Sequence, residues 1–232
     1  MKVIFTCGGT AGHVNPALAL AGYMRKKDPT VEVLFVGTPE GIERDLVTQA
    51  GYDYRGIAVG SLERSVSWEA IRHNCKSAWE MLALRRKTGV ILKEFPADLV
   101  VGTGGYASYP MVKYAALRGI PTAVHEANMI PGLTTKMLEK HASRIMVGFE
   151  ECRALYKHPE RIVVTGTPVR GDFFDLTHEE AKAALGVGKD EPLVVSFWGS
   201  LGASTMNRQM LDFFKKEKED GYPFYHIHAV GG

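Results

Sequence analysis

The chain has 232 residues, which at roughly 100–200 residues per domain amounts to about one and a half domains. Hydrophobic residues make up 45% and charged residues 23%, the averages of soluble globular proteins, so disordered, collagen-like and low-complexity classes are excluded. Lys and Arg total 28 against 26 Asp and Glu, a net charge of +2, and no general basic signature of a nucleic-acid binder exists at that balance.

Short β-branched or apolar runs stand at Lys2 to Cys7, Val31 to Gly37, Tyr54 to Val59, Asp98 to Thr103, Pro121 to His125, Arg144 to Val147 and Arg161 to Thr165. Between most of them lie helical patterns of roughly 10–20 residues, the signature of βαβ units and of a parallel sheet covered on both faces. The predicted fold class is α/β, a Rossmann-like doubly wound domain over residues 1–165. After the turn-rich Gly166-Thr167-Pro168, residues 166–232 are expected to begin a second domain and leave it incomplete. Thr177-His178-Glu179-Glu180 has capping-box form and opens a helix toward Leu185, with glycines as stop signals. A strand at Leu193 to Trp198, a glycine turn, a helix from about Ser204 to Lys216 and a strand at Phe224 to Val230 follow.

Cys7, Cys75 and Cys152 are an odd number without CxxC or Cys/His ligand spacing, so neither a disulfide framework nor a zinc site is expected and a reducing cytoplasm fits best. The N-terminal run Met1 to Thr6 is too short for a secretory h-region. No stretch approaches the roughly 20 apolar residues of a membrane span, so membrane contact is expected only at the periphery.

Three glycine turns follow predicted strands and precede predicted helices. The first is Cys7-Gly8-Gly9-Thr10-Ala11-Gly12-His13, the second Gly102-Thr103-Gly104-Gly105-Tyr106, and the third Trp198-Gly199-Ser200-Leu201-Gly202-Ala203, with Asn207 on the next helix. In open α/β sheets ligands bind at the carboxyl ends of strands, where glycines let backbone N–H groups approach a ligand or its phosphates. The first turn is no dinucleotide fingerprint, because Cys7 takes its first glycine position and no acidic residue ends the second strand. It is no Walker A loop either, lacking Gly-Lys-Ser/Thr. Taken alone, it supports a ligand-binding α/β protein, with a purely structural tight turn as the alternative. Another strand runs into His125-Glu126-Ala127-Asn128, so three strand ends carry polar or glycine-rich turns to one rim of the sheet, more than packing requires.

Gly8 to His13 and Pro16, then Gly104-Gly105-Tyr106, His125 to Asn128, Gly166-Thr167-Pro168-Val169-Arg170 and Gly199 to Ala203 occur in the order and spacing of a known family. The chain resembles the MurG family of peptidoglycan glycosyltransferases over essentially its whole length, while covering only part of the family's length. The resemblance implies the GT-B fold, with the acceptor held largely by the first Rossmann-like domain and the UDP-sugar largely by the second. It implies inverting transfer of N-acetylglucosamine from UDP-N-acetylglucosamine to the C4 hydroxyl of undecaprenyl-pyrophosphoryl-N-acetylmuramyl pentapeptide, the lipid-linked acceptor, with no obligatory metal or other cofactor. Such a reaction needs a base near the acceptor and positive dipoles near the departing pyrophosphate. His13, neutral near an ordinary pKa of about 6.5, is the leading base; Glu126 is the carboxylate next to a matched motif.

Thr10, Gly12, Gly104, Gly105, Tyr106 and Asn128 match acceptor-side positions. Arg170, Ser200 and Asn207 match donor-side positions, and Thr10, Gly12 and Asn128 are shared with the donor; Arg170 suits pyrophosphate charge. The sequence departs from the family at Ala127, where Gln is common, at Thr167, where Asn is usual, and at Trp198, which stands where a glycine is usual.

Trp68, Ile71, Cys75, Trp79 and Leu82 recur at helical spacing among Arg64, Arg72, Lys76, Arg85, Arg86 and Lys87. Against Glu63, Glu69 and Glu80 these six cations leave the stretch at +3, so the remaining chain is about −1 and the net charge is concentrated here. An apolar stripe rimmed by Lys and Arg suits a peripheral helix on anionic lipid; packing on the sheet is the alternative. With a lipid-linked acceptor, Trp68, Ile71, Arg72, Lys76, Trp79 and Leu82 become the expected contacts with the inner face of the cell membrane. The expected protein is a cytoplasmic, peripheral N-acetylglucosaminyltransferase chain. A non-catalytic fragment that binds the acceptor or membrane is the alternative, and a nucleotide-sugar epimerase or other Rossmann enzyme is disfavoured by the missing fingerprint.

Overall fold

The computed structural model describes residues 1–58, 84–199 and 202–231. The chain divides into two compact units, Met1–Gly171 and Asp172–Gly232. In the first, β1 (Lys2–Thr6), α1 (Ala11–Lys27), β2 (Glu32–Gly37), α2 (Ile42–Gln49) and β3 (Asp53–Gly56) are followed by helical residues 84–94, here α3. Then come β4 (Leu99–Gly102), α4 (Ser108–Ala116), β5 (Thr122–Glu126), α5 (Leu133–Leu138), β6 (Arg144–Val147) and β7 (Ile162–Val164). The seven strands form one sheet in the order β3-β2-β1-β4-β5-β6-β7, and every pair is parallel.

Side chains alternate across a strand, and the sequence uses that alternation to fill two cores. Val3 and Phe5 of β1 and Val33 and Phe35 of β2 pack with Val14, Ala17, Leu18 and Ala21 of α1 and Val47 of α2. Ile4, Leu34 and Val36 point the other way, into a core with Ile91 and Leu92 of α3, Met111, Val112 and Ala115 of α4 and Leu138 of α5. Central strands covered on both faces therefore read as continuous apolar runs. The sequence runs overshoot several strand ends because apolar residues continue into turns that fold back on the core. Cys7 and Ile57 are fully or almost fully buried although neither lies in a strand.

The sequence-based boundary falls at Thr165, whereas the first compact unit extends to Gly171. The segment after β7 stays tied to the sheet: Thr165 N donates to Val147 O at 3.0 Å, and the Gly166 carbonyl accepts from His125 Nε2 at 3.1 Å.

The second unit holds α6 (His178–Ala184), β8 (Leu193–Phe197), α7 (Ser204–Glu219) and β9 (Tyr225–Ala229), with β8 and β9 paired in parallel. The capping box forms: Glu180 N donates to Thr177 Oγ1 at 3.3 Å and Thr177 N to Glu180 Oε2 at 2.8 Å. Under α7 a polar chain links the elements. Asn207 Nδ2 donates to Val230 O at 2.7 Å, Asn207 Oδ1 faces His228 Nε2, and Ser196 Oγ lies 2.8 Å from both His228 Nδ1 and His226 Nε2. Glu217 closes the chain on His226 Nδ1 at 2.8 Å.

Phe35 is fully buried, with its ring stacked on Phe5 at a centroid separation of 5.4 Å and packed on Tyr52 at 5.2 Å. Phe35→Ala is expected to destabilise the first unit by about 3–5 kcal/mol, read as a lowered urea midpoint; a change below about 1 kcal/mol would contradict this packing.

Candidate functional site

Strands are added outward from β1 through β2 to β3, and the chain then returns to place β4 on the other side of β1. The reversal makes the carboxyl ends of β1 and β4 the topological switch point, where the crossover loops leave toward opposite faces and a crevice opens. The first two glycine turns lie there. Cys7 to Thr10 link β1 to α1, and Thr103 to Ala107 link β4 to α4.

A lattice of hydrogen bonds fixes these turns against each other. Thr103 N donates to Thr6 O at 3.0 Å, Thr103 Oγ1 to His13 O at 2.6 Å, and Ser108 Oγ faces Thr6 O at 2.8 Å and Gly104 O at 2.6 Å. Gly105 lies backbone to backbone on Gly8. A Cβ there would stand 2.8 Å from the Gly8 carbonyl carbon and closer still to its oxygen, and the φ of +82° belongs to the left-handed region that favours glycine. Gly104, with φ of +117°, lies flat against the His13 ring, where a Cβ would be 2.8 Å from Nε2.

His13, half-buried in the first turn of α1, places Nδ1 2.8 Å from Gly8 O. A carbonyl only accepts, so Nδ1 carries the hydrogen, and in the neutral ring the lone pair belongs to Nε2. Nε2 is thus the basic nitrogen, beside Gly104. Thr10 is the N-cap of α1 with extended backbone, and its side chain makes no capping hydrogen bond. Gly9, Thr10 and Gly12 are exposed, and they lie at the positive end of the dipole of a 17-residue helix. Such an end attracts an anion such as a pyrophosphate.

Tyr106 is 66% exposed at the rim. Asn128 is exposed just beyond β5, its Nδ2 donating to Glu126 Oε1 at 2.8 Å. Glu126, 5% exposed, also accepts from Asn128 N at 3.0 Å and through Oε2 from Gly132 N at 2.8 Å. Its carboxylate shapes the 126–132 loop rather than facing an open site. His125 is almost fully buried, and burial holds its pKa below the ordinary value, the Gly166 bond and Glu126 acting against that trend. Arg170 is exposed in the segment after β7. Asn207 belongs to the polar chain of the second unit. Ser200 and the stripe Trp68, Ile71, Arg72, Cys75, Lys76, Trp79 and Leu82 lie outside the described residues.

Sequence reasoning missed Glu43. This carboxylate in the first turn of α2 is fully buried, and it accepts from Thr38 N at 2.8 Å, Thr38 Oγ1 at 2.6 Å and Gly9 N at 3.3 Å. Burial pushes its pKa up, but the donors from Thr38 and Gly9 outweigh burial and the net direction is down. The one signal available was a Glu two residues after Gly41 and five after the strand-end Thr38. Cys7 is fully buried with its thiol pushed up to about 12 by burial and by Glu43. Among the described residues no group of three or more His, Cys, Asp or Glu is arranged to hold a metal ion, and no described helix is long and apolar enough to cross a membrane.

Gly9 has φ of +86° with open space around its Cα, whereas Gly105 adds a collision to its positive φ. Gly105→Ala should therefore destabilise the unit by more than the ~1–3 kcal/mol of backbone strain alone, and more than Gly9→Ala, as read by urea unfolding. His125 and His141 both have folded pKa values below the ordinary 6.5. Their contribution to stability is fully present above pH 6.5 and is lost as pH falls below it toward the folded values, because the unfolded chain then binds protons the folded chain refuses. His125→Gln should flatten part of the decline in unfolding free energy between pH 7.5 and 5.5; an unchanged slope would contradict the burial of a neutral ring.

Comparison with known proteins agrees with this architecture. Residues 3–147 match the glycosyltransferase family 28 N-terminal domain. The UDP-N-acetylglucosamine--N-acetylmuramyl-(pentapeptide) pyrophosphoryl-undecaprenol N-acetylglucosamine transferase of Acetivibrio thermocellus is 41% identical over 231 residues, covering 100% of this chain and 61% of that protein. The enzyme of the same name from Thermoanaerobacter sp. (strain X514) is 39% identical over 220 residues, covering 95% and 59%. The chain thus spans about three-fifths of the length of the curated relatives it matches. Among solved structures, Acinetobacter baumannii MurG superposes with a TM-score of 0.66 at 23% identity, covering 99% of this chain and 60% of that one. A UDP-GlcNAc 2-epimerase from Neisseria meningitidis bound to UDP-GlcNAc gives 0.58 at 12% identity, covering 98% and 65%. At these identities the two structures speak for the fold alone, whereas the domain match covers more than half of the chain: it belongs to glycosyltransferase family 28.

Proposed function

We propose that the chain carries the acceptor domain and the opening of the donor domain of an inverting N-acetylglucosaminyltransferase. The donor is UDP-N-acetylglucosamine and the acceptor the undecaprenyl-pyrophosphoryl N-acetylmuramyl pentapeptide. The names of the 41% and 39% identical relatives support the substrates. The observation that carries the chemistry is the His13 ring, held through Nδ1 so that Nε2 is the basic nitrogen at the β1/β4 switch point.

In the proposed reaction the acceptor's C4 oxygen attacks C1 of the sugar as its proton passes to Nε2 of His13. The C4 oxygen to C1 bond forms, the bond from C1 to the UDP oxygen breaks, and the configuration at C1 inverts. N–H groups of Thr10, Ala11 and Gly12 at the start of α1 hold acceptor pyrophosphate charge, while Gly104, Gly105, Tyr106 and Asn128 line the acceptor side. Thr10, Gly12 and Asn128 also reach toward the donor. Arg170, Ser200 and Asn207 are the proposed donor contacts, and no metal or other cofactor is required to activate a nucleophile already placed beside an imidazole. The 63–87 stretch, with its +3 charge and apolar stripe, is the proposed contact with anionic lipid on the cytoplasmic face of the membrane, which brings the enzyme to a lipid-linked acceptor.

A short-chain analogue of the lipid acceptor should bind this chain in titration calorimetry. In transfer assays with radiolabelled UDP-N-acetylglucosamine, the His13→Ala change made in a full-length relative should lower turnover by about 10²–10⁴-fold while leaving acceptor binding nearly intact. An unaltered rate would remove His13 as the base, and failure of the analogue to bind with or without the donor would overturn the acceptor-domain reading.

A further inference from the structure

Glu43 is placed where a catalytic histidine's carboxylate partner acts, one peptide group removed. Its Oε2 accepts the Gly9 N–H at 3.3 Å. That N–H belongs to the same planar amide as the Gly8 carbonyl, and the Gly8 carbonyl accepts His13 Nδ1–H at 2.8 Å. Carboxylate, peptide and imidazole therefore form one line of hydrogen bonds. Among the described residues, no carboxylate hydrogen-bonds to the His13 ring directly.

A negative charge on the N–H end of an amide draws positive charge there and pushes electron density toward the carbonyl oxygen. Hydrogen bonds in series polarise one another in this way. A more negative Gly8 oxygen binds Nδ1–H more tightly and favours the positive ring formed when Nε2 takes up a proton. Gly105 packed on Gly8 and Gly104 against the imidazole keep the line straight by excluding other arrangements. The charge at its end is constant. Thr38 supplies two more donors to Glu43, and the donors lower the carboxyl pKa despite complete burial. The titratable groups facing Glu43 are Cys7 and Tyr54, whose pKa values burial raises well above neutrality, with Arg44 beside Tyr54 on α2. None of them changes charge in the range where a histidine titrates.

We propose that Glu43 is a positioning residue that acts through the Gly8–Gly9 peptide on His13, strengthening the Nδ1–H bond to the Gly8 carbonyl and raising the proton affinity of Nε2. The catalytic consequence rests on the reading of His13 as the base; the effect on the ring does not.

The test is nitrogen NMR of the 232-residue chain labelled in histidine, with the His13 signals assigned by their loss in His13→Gln. The parent should show the Nδ1–H tautomer above its titration midpoint. In Glu43→Gln, an isostere without charge, the midpoint should fall by about half a pH unit or more while the Nδ1–H tautomer persists. Thr38→Val removes one donor to Glu43 but keeps the charge and the Gly9 bond, so it should leave the midpoint within about 0.2 units. A merely structural Glu43 would make the two variants behave alike. A folded Glu43→Gln with an unchanged midpoint would overturn the proposal. Should that variant fail to fold, the unaltered chain decides: the Gly9 amide proton must shift with the His13 midpoint, and indifference would equally overturn it. If the coupling is present but His13→Ala leaves transfer unaltered, the base reading falls and the relay stands.

Discussion

Two chain reversals have to meet at the centre of the sheet with no side chain between them. The contact of Gly105 with the Gly8 peptide is the narrowest point of the first unit, and the surroundings follow from it. It brings the turn after β4 within reach of the turn after β1, so that Thr103 can hold the His13 carbonyl and Ser108 can bridge Thr6 and Gly104. A methyl group at this point would part the turns and move the imidazole with them. The parallel order of strands determines where the turns meet, and glycine makes the meeting possible.

The same constraint explains how functional groups are shared between backbone and side chains. At the β1/β4 junction the exposed glycines offer amides, which carry partial charge without adding bulk, beside the exposed ring of Tyr106. Three ionisable side chains around them are turned inward and used as braces: Glu43 beneath the first turn, Glu126 within the loop after β5, His125 against the Gly166 carbonyl. His13 differs, since one nitrogen is bound to the frame while the other is left basic. A single reactive nitrogen amid braced groups is what selective proton transfer requires.

Much of this frame was legible in the sequence because it is local. β-Branched runs, glycine turns and the Thr177 capping box each announce themselves within a few residues, whereas the switch point needs the spatial order of the strands, which the structure supplies. Glu43 could not be read that way. It lies 34 positions from Gly9, and a Glu in the first turn of a short helix ordinarily faces solvent as a partner of the helix dipole. Only the closure of β1 on β2 turns it inward. Asn128 shows the opposite difficulty: its motif was visible, but the direction of its amide depends on Glu126, whose burial sequence cannot show. The segment after Thr165 looked like the start of a new domain because Gly166-Thr167-Pro168 is turn-rich, yet His125 ties it back to the first sheet.

Cys7 occupies the position at which a dinucleotide-binding turn has its first glycine, and its Sγ points into the core rather than toward the crevice. Held as a neutral thiol, it gives an oxidant or alkylating reagent no thiolate to attack. The chain therefore carries a sulfur atom in the turn next to its proposed base without acquiring redox sensitivity there. A cysteine-directed covalent inhibitor aimed at this crevice would find no nucleophile in that turn.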